Sequence, residues 1–225
     1  MSEMRYELKM VCLEHQLALA RSWIQLHPAG FLTAYPRRRV NNIYLDTPAY
    51  HCLSANLAGV SYREKLRLRW YGEETGKIQP WLELKVKRGL LGTKKRHPLP
   101  CTIDLAQSWV TILGTIRAHA PHEWRQWLEP AAQPSLINWY HREYYVASDG
   151  GVRATLDFNQ HACDQRLSPR PNLRHAIPIP HQVVIELKGA PGEIDRLQEI
   201  IGEFPVPRSR NSKYVGGLVT ALFTQ

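Results

Sequence analysis

The sequence predicts an α+β fold in which antiparallel strands close into a barrel with a charged interior and helices outside. The evidence is a repeated alternation of charged and apolar residues, an excess of cations in the charged positions, and few helical segments. Successive side chains of a strand point to opposite faces, so each such segment has one charged and one apolar face. A closed barrel accommodates both, because the charged rows line the interior and the apolar rows lie beneath the helices.

The clearest alternation is REKLRLRWYG at residues 63–72. Arg63, Lys65, Arg67 and Arg69 occupy every second position. Leu66, Leu68 and Trp70 alternate with them. Like charges that neighbour one another on a sheet face repel. This row is therefore either a solvated surface or a surface that binds an anion.

Further segments repeat the pattern, and they are residues 5–11, 41–46, 81–87, 141–148, 152–158 and 183–189. A flat sheet with a solvated face would explain one such strand. Repetition favours an enclosed lumen with an anionic ligand, because many facing cations are costly without one. The predicted lumen row is Arg5, Glu7, Lys9, Arg63, Lys65, Arg67, Arg69, Glu83, Lys85, Lys87, Arg142, Arg153, Asp157, Glu186 and Lys188.

Helices are predicted at about 13–27, 104–128 and 192–203, with a short one from about 212. The segment 167–180 is rich in proline and is predicted to be a long loop, since proline lacks the amide hydrogen that a strand ladder uses. No repeat or linker divides the chain, so we expect a single domain over residues 1–225.

The composition indicates a globular protein with an anionic partner. The 225 residues are 44% hydrophobic and carry a formal net charge of +9, which favours a polyanion. The scattered cysteines and histidines show no metal-binding or redox spacing. No signal peptide or membrane segment is evident, so we expect a cytoplasmic protein; the sequence does not specify an oligomeric state.

Six stretches together resemble a known family: RYELK, NIYLDTPAY, REKLRLRWYG, WLELKVKRG, VVIELKG and PVPRSRNSKYVGG. They are similar to the catalytic domain of the vacuolar transporter chaperone (VTC) family, the polyphosphate polymerases, and the resemblance extends from about residue 4 to 218. That family belongs to the triphosphate tunnel metalloenzymes, with the CYTH-type triphosphatases and class IV adenylate cyclases. The resemblance implies an eight-stranded antiparallel barrel around a basic tunnel.

The resemblance also implies roles for individual residues, with ATP and polyphosphate as ligands, Mn²⁺ or Mg²⁺ as cofactor, and no DNA. The expected catalytic cations are Arg67, Arg69, Lys85, Arg142 and Lys188. The expected substrate-binding residues are Lys9, Arg63, Lys65, Lys87, Tyr140, Arg153, Ser212 and Lys213, of which Arg63 and Lys87 follow from strand alternation alone. Glu186 and Glu7 are the expected metal ligands, although Glu186 could instead form a salt bridge with Lys188 or Arg5.

Three functions remain open from the sequence. Hydrolases of the superfamily begin with ExExK, whereas Arg5 occupies the first of those positions here. Loss of that acid favours phosphoryl transfer to a phosphate acceptor over hydrolysis, so the leading hypothesis is an ATP-dependent polyphosphate polymerase. The alternatives are a tunnel triphosphatase and a non-catalytic module that binds polyphosphate or RNA. RNA is disfavoured because RNA-binding surfaces place aromatic residues on the same face as the cations, whereas here the cations alternate with aliphatic residues that face away from them. Tyr44, Tyr140 and Tyr144 are the candidates for such aromatic residues.

Overall fold

The computed structural model describes residues 4–179 and 182–223. Its strands are β1 (Arg5–Cys12), β2 (Leu32–Asp46), β3 (Tyr62–Tyr71), β4 (Lys77–Ile78), β5 (Trp81–Arg88), β6 (Leu91–Pro98), β7 (Ile103–Asp104), β8 (Gln133–Val146), β9 (Arg153–Asp164), β10 (Ile177–Pro178) and β11 (Val183–Gly189). Its α-helices are α1 (Leu17–Gln25), α2 (His51–Leu57), α3 (Trp109–His119), α4 (Arg125–Leu128), α5 (Ile194–Gly202) and α6 (Lys213–Phe223). Short 3-10 turns cover Glu14–Gln16, His122–Trp124 and Pro191–Glu193.

Eight of these strands form a closed antiparallel barrel. Their order is β9-β11-β1-β6-β5-β3-β2-β8, and β8 pairs again with β9 to complete the circle. Strand β10 extends the edge of β9, and β4 and β7 make a separate two-stranded ribbon. The predicted α+β fold with an eight-stranded barrel and surrounding helices is therefore confirmed.

The register places the charged rows of neighbouring strands on one shared face. Arg67 of β3 lies opposite Glu83 of β5, and Lys9 of β1 lies opposite Glu186 of β11. Directly opposed residues of an antiparallel pair point to the same side of the sheet. Closure of the sheet therefore encloses these side chains in one lumen.

The apolar rows form two shells outside the barrel. Leu68 and the other outward residues of β2, β3 and β5 pack with Ile116 of α3 and its neighbours in α4. On the opposite side Ile185 of β11 packs with Ile24 of α1 and Leu197 of α5. Burial of such side chains stabilises each shell by about 25 cal/mol per Å² of apolar area removed from water, so the polar lumen is supported by apolar packing on its outside.

Helix α6 lies across one end of the barrel, at which β1 ends and β3 begins. Its Tyr214 contacts Tyr44 with ring centroids 5.0 Å apart, and Leu218 packs with Leu136. The helix approaches closely because a Cβ at Gly217 would lie 2.6 Å from Leu136 Cδ2. We call this the α6 end, and the opposite end, whose strand row includes exposed Arg153, the far end.

The structure corrects several predicted boundaries. The predicted helix over 104–128 is wrong as a single element, because it divides into the end of β7, helix α3, a 3-10 turn and α4. Ser108 caps the start of α3 through its side chain, and Pro121 precedes the turn after it. Strand β2 begins at Leu32 rather than 41, and β8 begins at Gln133 rather than 141.

Strand β6 and strand β10 were not expected. β10 lies within the predicted loop 167–180, whose last residue falls outside the described residues together with position 181. None of the described helices has the length and hydrophobicity needed to cross a membrane. The four cysteines are free thiols.

Candidate active site: a basic tunnel with internal carboxylates

Glu83 is the centre of the densest ion-pair network in the lumen. Arg67 donates to Glu83 Oε2 from Nε and Nη2 at 3.0 and 2.8 Å. Arg96 Nε lies 2.8 Å from Oε1 and Arg69 Nε lies 3.6 Å from Oε2. Burial acts to raise the pKa of Glu83, but Arg69, Arg67 and Lys94 outweigh it and hold that pKa far below its ordinary value. Glu83 is therefore an anion that balances several cations.

Asp157 forms a second network nearer the α6 end. Arg142 donates to both its oxygens, from Nε to Oδ1 at 2.5 Å and from Nη2 to Oδ2 at 2.6 Å. Lys213, the first residue of α6, places Nζ 2.5 Å from Oδ2. Burial opposes ionisation of Asp157, yet Arg142 and Lys213 hold its pKa well below the ordinary value. Helix α6 thus contributes a cation to the lumen.

Glu7 and Glu186 form a third network, which Lys188 joins. Lys85 of β5 donates to both oxygens of Glu7 of β1 at 2.8 and 2.6 Å. Lys188 Nζ lies 2.9 Å from Glu186 Oε1 and 3.5 Å from Glu7 Oε1. Burial raises the pKa of Glu7, but Lys85, Lys9 and Lys188 together lower it well below its ordinary value. The salt bridge between Glu186 and Lys188 is the one considered from the sequence.

Two lysines near the α6 end have neutral partners instead. Lys9 Nζ donates to the carbonyl oxygen of Asn211 at 3.1 Å, and Lys65 Nζ donates to Ser212 Oγ at 2.8 Å. Burial is the main cause that lowers the pKa of Lys9 to about 7 and that of Lys65 to about 8. An arriving anion would raise both pKa values and so favour the charged form of each ammonium group.

Tyrosine and asparagine side chains orient the arginines. Arg69 Nε donates to Asn42 Oδ1 at 2.8 Å, and its Nη2 donates to Tyr140 OH at 3.2 Å. The Tyr140 ring also faces Lys213, whose Nζ lies 4.7 Å from the ring centroid. Burial alone would raise the pKa of Tyr140, but Arg142 and Arg69 lower it. These contacts restrict the guanidinium planes to a few orientations, which favours bidentate binding of phosphate.

The structure brings most of the predicted site residues into one lumen. The residues with contacts inside it are Lys9, Lys65, Arg67, Arg69, Lys85, Tyr140, Arg142, Lys188, Lys213, Glu7 and Glu186. Ser212 precedes α6, and its Oγ accepts from the backbone N–H of Val215 at 3.4 Å. Arg63 and Lys87 are cross-strand partners at the α6 end, whereas Arg153 is exposed at the far end.

Sequence reasoning missed two lumen cations, Lys94 and Arg96 of β6. Both approach Glu83, at 3.8 and 2.8 Å respectively. Burial lowers the pKa of Lys94 to about 7, against the raising effect of Glu83. The signal in the sequence that could have found them is a hairpin that turns after Arg88. In that hairpin Lys94 and Arg96 lie opposite Lys85 and Glu83, and they therefore share the lumen face of those residues.

The lumen carboxylates suit a divalent metal only together with the phosphates of a bound substrate. Within residues 4–179 and 182–223 no group of three or more His, Cys, Asp or Glu side chains could hold a metal ion. However, Glu7 and Glu186 both contact the single ammonium group of Lys188, so a cation already lies between two carboxylates. Mg²⁺ is often held by one or two carboxylates together with substrate phosphates, and Glu7 and Glu186 suit that arrangement.

Two surface cavities do not belong to this site. Their volumes are about 550 and 680 Å³, and Arg174 and His175 line both of them. Lumen residues are absent from the described walls of both cavities. The convergence of cations and carboxylates therefore distinguishes the lumen as the candidate site.

Several solved structures have the same fold as this chain. A Hippeastrum protein named after adenylyl cyclases and described as having a dominant triphosphatase activity is 16% identical, with a TM-score of 0.53 over 94% of this chain and 93% of its own. A candidate adenylate cyclase from Vibrio parahaemolyticus is 12% identical, with a TM-score of 0.52 over 94% and 96% of the two chains. A chain of the Schizosaccharomyces pombe Mediator head module is 11% identical, with a TM-score of 0.52 over 91% and 97%. Identities this low show the fold alone.

The family follows from the sequence match. The VTC domain family matches residues 4–222, and the chain therefore belongs to the VTC domain family. No curated protein gave a significant match to the chain.

Proposed function

We propose that the protein is an ATP-dependent polyphosphate polymerase, which transfers the γ-phosphoryl group of ATP to a growing polyphosphate chain inside the tunnel. The observation that carries this proposal is the ion pairing of every predicted lumen carboxylate. Glu7, Glu83, Asp157 and Glu186 all contact lysine or arginine, and the pKa values of the first three are lowered. Such carboxylates are weak general bases for activating water.

A phosphate acceptor needs no such base, because its terminal oxygens are already ionised. That oxygen attacks the γ-phosphorus, the bond to the bridging oxygen breaks, and ADP leaves with the electron pair; no proton has to move. Phosphoryl transfer depends mainly on positioning and on neutralisation of charge. Arg67, Arg69 and Arg142 supply planar donors for the triphosphate oxygens, and Lys85 and Lys188 supply point charges that can shift as a chain moves.

The incoming phosphates would bind to the cations that already contact the lumen carboxylates. Mn²⁺ or Mg²⁺ held by Glu186 and Glu7 would offset negative charge on the phosphate oxygens. Tyr140 would keep its contacts with Arg69 and Lys213 and so preserve their orientation. Lys9, Lys65, Ser212 and Lys213 lie at the start of α6, where free backbone N–H groups and the helix dipole also favour an anion.

A tunnel triphosphatase is the second candidate, and the Hippeastrum protein with the same fold and a described triphosphatase activity favours it. Incubation of the purified protein with ATP and Mn²⁺ or Mg²⁺ distinguishes the two. A polymerase releases ADP and accumulates polymer that stains on a gel, while orthophosphate appears slowly. Orthophosphate released in step with ADP, without polymer, would replace the proposal with the triphosphatase, and absence of both products would leave a binding module.

A variant pair tests whether the tunnel is responsible. Arg69→Ala removes a buried guanidinium that contacts Glu83 and Asn42, and we expect it to reduce turnover by at least about a hundredfold, the scale of one oriented charged donor. Arg125→Ala is the matched control, because Arg125 is an exposed residue of α4 outside the barrel. Equal loss in both variants would contradict the assignment of the reaction to the lumen.

A further inference from the structure

The far end of the tunnel carries aromatic side chains where the middle of the tunnel carries charges. Tyr71 follows Arg69 in the lumen row of β3, and Tyr144 follows Arg142 in the lumen row of β8. Neighbouring strands add further rings and two guanidinium groups to the same face. We call this group the aromatic mouth, and its members are Tyr35, Arg38, Tyr71, Trp81, Arg96 and Tyr144.

Irregular pairing of β2 brings Tyr35 and Arg38 to the same side of the sheet. Residues three apart in a regular strand point to opposite faces. Register shifts on both sides of Tyr35 break that alternation, so that Tyr35 lies opposite Tyr144 while Arg38 lies opposite Arg142. Directly opposed side chains share a face, and both Tyr35 and Arg38 therefore face the tunnel. Bulges that redirect side chains in this way are frequent next to active sites.

Contacts among the rings hold the rim of the mouth together. The Arg38 Cζ lies 4.6 Å from the ring centroid of Tyr71, 4.9 Å from that of Tyr144 and 5.8 Å from that of Tyr35. Its Nε donates to Tyr144 OH at 3.2 Å. The rings of Tyr35 and Tyr144 meet edge to face, with centroids 5.8 Å apart. Tyr35 is nevertheless 58% exposed, so its ring is accessible to a ligand.

Arg96 connects the aromatic mouth to the charged centre of the lumen. Its Nε lies 2.8 Å from Glu83 Oε1, and its Nη2 donates to Tyr71 OH at 3.4 Å. Its Cζ lies 4.7 Å from the ring centroid of Trp81. Tyr71 is two residues beyond Arg69, a step of about 7 Å along the strand. The ribose and α-phosphate of one nucleotide can span that step.

The aromatic rings at the α6 end are not accessible in the same way. Tyr44 is 4% exposed and Tyr214 is 1% exposed, and Tyr214 OH donates to Asp46 Oδ2 at 2.6 Å. A ligand cannot stack on these rings unless α6 moves. A nucleotide in the tunnel would therefore have its base at the far end and its γ-phosphate toward the α6 end.

We propose that the aromatic mouth binds the nucleobase of a nucleoside triphosphate, with Tyr35 as the stacking surface and Arg38 as a donor to the ring nitrogens. The identity of the ligand rests on the proposed function, in which the triphosphate occupies the charged lumen. Bases stack on aromatic side chains and on guanidinium planes, and the N7 atom of a purine accepts from arginine. The base should therefore add to the affinity that the phosphates provide.

The test compares ATP with ribose 5′-triphosphate, which has the same phosphates and sugar but no base, by titration calorimetry without metal. Wild-type protein should bind ATP about tenfold more tightly, which corresponds to about 1.4 kcal/mol. Tyr35→Leu should remove most of that difference, whereas its affinity for ribose 5′-triphosphate should stay within about twofold. Tyr35→Phe keeps the aromatic face and should retain the affinity for ATP.

Tyr62→Leu is the matched control. Tyr62 is a 48% exposed tyrosine at the start of β3, next to the lumen residue Arg63 and therefore on the outer face of the strand. Its replacement should change neither affinity. A fluorescent analogue with 2-aminopurine as its base gives a second readout, because stacking quenches its emission. Quenching should occur with wild type and Tyr35→Phe and should be weaker with Tyr35→Leu.

Equal affinity of the wild type for ATP and ribose 5′-triphosphate would overturn the proposal. So would an equal loss for both ligands in Tyr35→Leu, or an unchanged affinity of that variant for ATP. If Tyr35→Leu does not fold, Tyr144→Leu and Tyr144→Phe provide the same comparison. A wild-type protein that only hydrolyses ATP would refute the proposed polymerase activity, yet the contribution of the base to binding could still be measured, so the two failures are distinguishable.

Discussion

Replacement of Glu83 by glutamine tests whether internal carboxylates stabilise the barrel. Glu83 is 0% exposed and contacts Arg67, Arg69 and Arg96 at 2.8, 3.6 and 2.8 Å. Glu83→Gln keeps the size of the side chain but leaves these guanidinium groups without their shared anion. Loss of one member of a buried ion pair costs about 3 to 5 kcal/mol.

That cost should be visible in thermal unfolding. For a chain of this size each kcal/mol lowers Tm by about 2 to 4 °C, so we expect a decrease of roughly 6 to 20 °C in Glu83→Gln. Glu64→Gln is the matched control on the same strand, since Glu64 contacts the exposed Tyr62 hydroxyl at 2.5 Å instead of a buried cation. Its Tm should change by less than about 2 °C.

Ligand and pH add two independent checks on Glu83. Tripolyphosphate should raise the Tm of Glu83→Gln more than that of the wild type, because it supplies the missing negative charge. The folded-state pKa of Glu83 is lowered, so its stabilisation is present above the unfolded value of about 4.3 and is lost as the pH falls below it. The two proteins should therefore converge in stability in acid. A variant as stable as the wild type at neutral pH would refute this reasoning.

The remaining predictions concern the shell, the metal and protonation. Leu68→Ala, on the outward face of β3 and 0% exposed, should cost about 2 to 5 kcal/mol in the free energy of unfolding, while polyphosphate affinity per folded molecule stays unchanged; a large loss of affinity would place Leu68 in the lumen. Glu186→Gln should remove metal-dependent turnover but retain metal-free binding of tripolyphosphate by calorimetry, and unchanged turnover would exclude Glu186 as a ligand. Lys9 and Lys94 have pKa values of about 7, so they are mostly neutral at pH 8, and binding of triphosphate should take up about one to two protons. Calorimetry in buffers of different ionisation enthalpy measures this proton uptake, and binding heats that do not depend on the buffer would contradict it. The affinity for triphosphate should also weaken as the pH rises from 6 to 9.

Alternation of charge was sufficient to predict the barrel because most strands have one charged and one aliphatic face. Strand β6 was not predicted because its outer face lacks the row of aliphatic residues that the alternation pattern requires. There Lys95 pairs with Glu123 at 2.9 Å and lies 5.5 Å from the centroid of the Trp124 ring. A lysine that packs on aromatic rings occupies a position where the pattern requires an apolar residue.

The ion pairs of the site could not be predicted from the sequence, although their members were. Lys85 of β5 reaches Glu7 of β1 although β6 lies between those strands in the sheet. Lys213 reaches Asp157 only because α6 crosses the end of the barrel. Contacts of this kind depend on the curvature and closure of the sheet, which strand periodicity does not specify.

The most direct test of the proposed reaction is a phosphorus NMR time course of the purified protein with ATP and Mg²⁺. The proposed polymerase predicts that the ATP γ-phosphate signal decays as ADP and mid-chain phosphoanhydride signals grow together, with little orthophosphate. Orthophosphate growing in equal amount to ADP, with no mid-chain signal, would contradict phosphoryl transfer to a chain and identify the tunnel as a triphosphatase.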